Sequence, residues 1–135
     1  MIVVDSSALL AILLQEPEKQ AFQDIVASAE RCVISAVNAH EMATVLRARH
    51  GRAAVERLWQ LFAENDIEIF PFDEARVRAA AAAFDRYGKG IHSKARLNLS
   101  DCAAYALAKT MNASLLFKGD DFAETDVQRA AVPKD

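Results

Sequence analysis

Segments 2–4, 32–34, 67–70 and 114–117 are short and mostly apolar, and stretches of helical periodicity separate each from the next. This alternation restricts the fold more than any other feature. Ile2-Val3-Val4 and Cys32-Val33-Ile34 are rich in β-branched residues and show no polar alternation, as expected of strands covered on both faces. Antiparallel hairpins need only short turns, whereas parallel strands need crossovers of helical length, which are what this chain supplies. The expected architecture is α/β, a three-layer sandwich in which helices cover both faces of a parallel sheet. Four strands are plain, and a short segment near Ala131-Val132 can supply the last strand of a five-stranded sheet. No linker or repeat divides the chain, so residues 1–135 are expected to form a single domain.

The helical stretches carry their own punctuation. Ser6 or Ser7 can cap a helix bearing Leu9, Leu10, Leu13 and Leu14, and Pro17 suits the first position of a second helix whose stripe is Phe22, Ile25 and Val26. Ser35 opens a helix that runs to His50 and stops at Gly51, and 53–64 is helical with Val55, Leu58, Trp59 and Phe62 on one face. Asp73 caps an Ala-rich helix ending near Tyr87. Ser100 is expected to cap a helix over 101–111, with Asn112 ending it. Between these last two helices, 86–96 holds basic residues and two glycines but no acid, which is the texture of a loop.

Composition narrows the function classes. With 53% hydrophobic and 26% charged residues the chain is globular, and a net charge of −3 rules out a polycation, so affinity for nucleic acid must come from a local patch or a bound metal. Cys32 and Cys102 form no CxxC pair, which argues against zinc and disulfides and fits a reducing, cytoplasmic setting. The apolar run 8–14 is too short to span a membrane and lacks the basic flank of a signal peptide.

A carboxylate at Asp5, wedged between an apolar strand and seven apolar residues, costs several kcal/mol unless something pairs with it. In parallel sheets ligands bind beyond the carboxyl ends of the strands. Asp5 ends the first strand and Asp120-Asp121 follow the fourth. Asp101 lies in the first turn of the helix feeding the fourth strand, and Glu41 borders the apolar stripe of the helix after the second. If the first and fourth strands are neighbours, four acids converge. Each acid alone has an ordinary explanation: a cap for Asp5, a dipole-favoured position for Asp101, a solvated helix face for Glu41, a turn for Asp120-Asp121. Together they form an all-oxygen set that suits Mg²⁺ or Mn²⁺ rather than zinc, and such ions serve phosphoryl or phosphodiester transfer.

The stretches IVVDSSALLAILLQEPE, ISAVNAHEMATVL, LNLSDCAAYALAK and LLFKGDDFAETDV resemble, in order and over nearly the whole chain, the PIN-domain ribonucleases, specifically the VapC-type toxins of bacterial toxin–antitoxin pairs. The resemblance implies a metal-dependent endoribonuclease with Mg²⁺ (Mn²⁺ possible as substitute), usually homodimeric, that acts on RNA and is neutralised by a cognate VapB-like antitoxin. It assigns Asp5, Glu41, Asp101 and Asp121 as the catalytic, metal-binding acids, with Asp120 as substitute for the fourth, and Ser6 as a hydroxyl position beside the first. The third motif departs from the family's Asn-Phe-Gly-Asp-Cys-Phe, reading Asn98-Leu99-Ser100-Asp101-Cys102-Ala103. The lost aromatic at Ala103 bears on substrate choice rather than on catalysis.

Lys89, Lys94 and Arg96 in the basic loop are candidates for phosphate contact, and a solvated basic surface explains them equally well. Arg47, Arg49, His50, Arg52 and Arg57 form a second basic strip, read mainly as solvated surface. Trp59 is expected in the core or at a dimer interface, and Tyr105 and Cys102 in the core. Two rival functions have weaker support. A phosphatase using Asp5 as nucleophile wants a second acid two residues on, where Ser7 stands. A non-catalytic acidic module gripping a basic partner would bind without cutting RNA.

Overall fold

The computed structural model describes residues 1–131. Strands β1 (Ile2–Val4), β2 (Cys32–Ser35), β3 (Ile67–Phe70) and β4 (Ser114–Leu116) form one parallel sheet in the order β3-β2-β1-β4. Val3 faces Val33 on one side and Leu115 on the other, so β1 is fully flanked. From β1 the chain steps outward to β2 and β3, then returns to the other side of β1 at β4. The direction of winding therefore reverses between β1 and β4, and the crevice expected at such a reversal lies beyond Val4 and Leu116.

Successive strand residues point to opposite faces, and this alternation divides the core. Ile2, Val4, Cys32 and Ile34 pack with Leu9, Ile25, Met42, Leu46, Leu58 and Phe62 from α1 (Ser6–Leu13), α2 (Lys19–Ser28), α3 (Ala36–His50) and α4 (Arg52–Glu64). Val3, Val33, Leu115 and Phe117 pack on the other face with Ala80, Ala83, Tyr87, Tyr105 and Leu107 from α5 (Glu74–Tyr87) and α6 (Leu99–Thr110). The three-layer α/β architecture is as expected. Among the described residues, no helix is long and apolar enough to cross a membrane.

Among the described residues, the place of a fifth strand is taken by one parallel bridge, Leu115 to Arg129, closed by Leu115 N–H to the Gln128 carbonyl and Ala130 N–H to the Leu115 carbonyl. Gln128 and Arg129 are exposed, and Ala130 alone of the three is buried, too little apolar surface to extend the ladder. The bridge falls before the expected 131–132, and Val132 lies outside the described residues.

Local differences concern caps. Asp5, not Ser6 or Ser7, caps α1, and Asn98, not Ser100, caps α6. In both places several cap-competent residues are adjacent, and the backbone geometry chose the earlier one. Helix α2 starts at Lys19, so Pro17 sits in the preceding turn rather than at a first helical position. Trp59 is 41% exposed, leaning edge-on against buried Phe62, so it is not a core residue. Tyr105 and Cys102 are buried as expected.

Candidate active site

Asp5 enters the crevice because β1 ends there: its backbone N–H donates to the Leu116 carbonyl, the last rung between β1 and β4. Its side chain is 4% exposed. Oδ2 accepts both the Ser7 amide (3.0 Å) and the Ser7 hydroxyl (2.6 Å), while that hydroxyl oxygen accepts the Lys118 amide from the segment after β4 (3.0 Å). The Lys118 contact leaves the Ser7 proton directed at Asp5. Oδ1 of Asp5 has one remote donor, the Asn38 amide at 3.4 Å.

Asp101, 7% exposed, occupies the third position of α6 and forms a capping box with Asn98. Its Oδ2 accepts the Asn98 amide at 3.0 Å, and among the described residues no side chain or amide donates to Oδ1. Each buried acid thus uses Oδ2 to fix its own helix start and keeps Oδ1 available. Among the described residues, no Lys, Arg or His pairs with either acid.

Electrostatics tie these acids to the other two. Burial pushes the Asp101 carboxyl up to about 7; the Asn98 hydrogen bond opposes this, and the charges of Asp5, Asp121 and Glu41 add to it. Burial also raises Asp5, against the lowering hydrogen bonds from Ser7, with the charge of Glu41 adding to the rise. Glu41 is exposed on α3 beside buried Met42, at the border foreseen for it. Asp121 is exposed in the turn after β4 and is held by its neighbour Phe122, which is buried against Phe117 with ring centroids 5.0 Å apart. The charge of Asp121 is among those that raise Asp101.

The Asn38 amide joins Asp5 to the Ser100 carbonyl beside Asp101, and the charges of Glu41 and Asp121 bear on Asp101. Among the described residues, however, no three of the protein's His, Cys, Asp and Glu side chains are gathered closely enough to grip an ion as they stand. The donor chemistry nonetheless suits a hard divalent cation: all oxygen, two buried anions without basic partners, one available oxygen on each.

Ser6 is buried beside Asp5, and its hydroxyl accepts the Asn38 amide. Lys89, Lys94 and Arg96 are exposed and, among the described residues, make no ion pair. Their loop is better anchored than its glycines suggest. Ala95 and Leu97 are fully buried, Leu97 bridges to Gly88, and Nδ1 of His92 accepts the amides of Lys94 and Ala95. The residue that sequence reasoning missed is Asn38, wholly buried at the centre of the crevice. A signal was there: Asn38 precedes Glu41 by three residues, on the same helix face, among otherwise apolar buried positions.

Residues 2–128 match the family described as PIN domain. The chain is 40% identical over 133 residues to VapC ribonuclease Mb0640 of Mycobacterium bovis, covering 97% of this chain and 99% of that one. It is 38% identical over 128 residues to ribonuclease VapC28 of Mycobacterium tuberculosis, covering 95% and 96%. Among solved structures, VapC20 of Mycobacterium tuberculosis, described as a sarcin-ricin loop cleaving toxin, superposes with a TM-score of 0.79 at 16% identity, covering 97% of this chain and 99% of that one. A toxin–antitoxin complex from Klebsiella pneumoniae gives a TM-score of 0.71 at 17% identity, covering 93% of each chain. The structural likeness speaks for the fold, and the sequence matches speak for the lineage: the chain belongs to the PIN-domain family and, within it, to the VapC ribonucleases.

Proposed function

We propose that the protein is an Mg²⁺- or Mn²⁺-dependent endoribonuclease toxin, working as one domain over 1–135 in the cytoplasm and held in check by a VapB-like antitoxin. The observation that carries this reading is the pair of buried acids, Asp5 and Asp101, without basic partners at the reversal point of a parallel sheet in a VapC ribonuclease. The toxin–antitoxin complexes among the structural neighbours support the antitoxin as partner. Exposed Phe84 and Leu99, beside the start of the Asp101 helix, offer apolar surface for a homodimer.

Asp5 and Asp101 would hold the ion through the oxygens that their caps leave available, with Glu41 and Asp121 completing the set directly or through water. When bound, the ion supplies an activated water and offsets charge on the phosphodiester. Ser7 and Asn98 grip the opposite carboxylate oxygens, so both acids are oriented by the helix starts rather than by the ion. Ser6 lends a hydroxyl beside Asp5, and Lys89, Lys94 and Arg96 draw the RNA phosphates to a molecule that is acidic overall.

Purified protein incubated with RNA tests this directly. Cleavage is expected with Mg²⁺ or Mn²⁺ and lost in excess EDTA, and mapping the new RNA ends identifies the cut. Undiminished cleavage in EDTA overturns the metal mechanism, and RNA binding without any cleavage turns the reading toward a non-catalytic module. Co-expression with the adjacent small open reading frame is expected to suppress both cleavage and growth arrest.

A further inference from the structure

Asn38 is wholly buried, yet its amide nitrogen meets three acceptors. Its single Nδ2 faces Ser6 Oγ at 3.0 Å, the Ser100 carbonyl at 3.2 Å and Asp5 Oδ1 at 3.4 Å. These acceptors belong to two different pieces of chain, and the donor belongs to a third. Asp5 and Ser6 lie at the β1–α1 junction, Ser100 lies in the first turn of α6 next to Asp101, and Asn38 itself sits one turn before Glu41 on α3. One amide therefore ties together the elements that carry three of the four acids.

The stoichiometry of the contact is informative. An NH₂ group has two protons, and here three acceptors compete for them. The Asp5 contact is the longest of the three and lies near the limit of a useful hydrogen bond. Were a cation to take Asp5 Oδ1, two acceptors would remain for two protons, and the Asn38 donors would be matched. The opposite end of the same side chain, Oδ1, is buried with no hydrogen-bond partner among the described residues. A buried, unpaired amide oxygen is costly, which argues that packing alone does not account for an Asn at this position.

We infer that Asn38 is a positioning residue: its amide holds the Asp5 and Asp101 helix starts at the separation a divalent cation needs, and it yields Asp5 Oδ1 to the ion on binding. The inference rests on the metal reading above. Groups that orient metal ligands from behind typically change affinity by about 10–100-fold when removed.

The test is Mn²⁺ titration of the full chain by calorimetry, with wild type, Asn38→Ala and Thr110→Ala. Asn38→Ala is expected to bind Mn²⁺ about 10–100-fold more weakly. A purely structural role lowers the melting temperature but leaves the affinity of the folded protein alone. Thr110→Ala removes a hydrogen bond to the Leu107 carbonyl at the far end of α6 and is expected to leave Mn²⁺ affinity at the wild-type value. If Asn38→Ala melts below the assay temperature, Asn38→Ser, which keeps a polar group and admits water, takes its place with the same expectation. Wild-type affinity in the Asn38 variants overturns the inference while leaving the metal reading intact. An equal loss in Thr110→Ala assigns the effect to general loosening of the fold and also overturns it. A wild-type chain that binds no Mn²⁺ removes both.

Discussion

Asn98 and Asp101 cap each other: the Asn98 side-chain oxygen accepts the Asp101 amide at 2.9 Å, and Asp101 Oδ2 accepts the Asn98 amide at 3.0 Å. The helix start thereby holds a carboxylate in a place its neighbours disfavour, with burial and the charges of Asp5, Asp121 and Glu41 all raising its pKa. Strain of this kind has a stability cost that depends on pH. The folded-state value of about 7 stands above the ordinary 3.8. The protonated acid is therefore harmless below about pH 4, and the penalty grows as pH rises through 7.

Asp101→Asn keeps the shape and an acceptor for the Asn98 amide, so the cap survives, but it removes the charge. In EDTA at pH 8 the variant is expected to be more stable than wild type by roughly 1–3 kcal/mol, with the gap closing by about pH 4. RNA cleavage is expected to collapse. Chemical denaturation at the two pH values checks the first statement, and a variant less stable than wild type at pH 8 refutes it.

Metal addition should reverse that ranking. An ion that binds only the folded state stabilises it by about 2.7 kcal/mol at one hundred times its dissociation constant. Wild type is expected to melt higher as Mg²⁺ is added, while Asp101→Asn gains little because an anionic ligand is gone. Parallel thermal melts with Mg²⁺ and with EDTA decide this, and equal gains in both proteins return Asp101 to a capping role alone.

The layers and strand identities were legible because apolar runs and helical periods alternate so cleanly, and Asp5 was suspicious because a charge interrupts an apolar region. The caps of α3 and α5, Ser35 and Asp73, were legible, and those of α1 and α6 were not. Asp5, Ser6 and Ser7 compete at one helix start and Asn98 and Ser100 at another, and only the path of the chain out of β1 or out of the basic loop selects among them. Asn38 escaped because its partners, Asp5 and Ser100, are 33 and 62 residues away, a distance no local pattern encodes. The bridge from Leu115 to Arg129 was not legible, because the exposed Gln128 and Arg129 carry no apolar strand pattern.

Gly88 ends α5 where the chain turns back against Phe84. A Cβ there would lie 2.5 Å from both the Phe84 carbonyl oxygen and its ring, and the oxygen, being backbone, cannot step aside. Gly88→Ala is expected to destabilise the protein by about 1–3 kcal/mol, the usual range for overpacking. Urea denaturation measures it, and a change under about 0.5 kcal/mol, the range of an ordinary surface substitution, contradicts the steric argument.

The loop that follows Gly88 carries the proposed RNA contacts. Lys89, Lys94 and Arg96 project into solvent from a backbone pinned by Ala95, Leu97 and His92 Nδ1, so their replacement by Ala removes charge without loosening the frame. Each phosphate contact on a single strand contributes about 0.7 to the slope of log affinity against log salt, so losing three is expected to flatten it by about 2. The triple variant should keep the wild-type melting temperature and Mn²⁺ affinity, because none of the three side chains touches the acids or their caps. Fluorescence anisotropy with labelled RNA in EDTA, across a salt series, measures the slope free of cleavage. A slope equal to that of wild type assigns the three residues to solvated surface and moves the search for phosphate contacts to Arg47, Arg49, Arg52 and Arg57, which are also exposed.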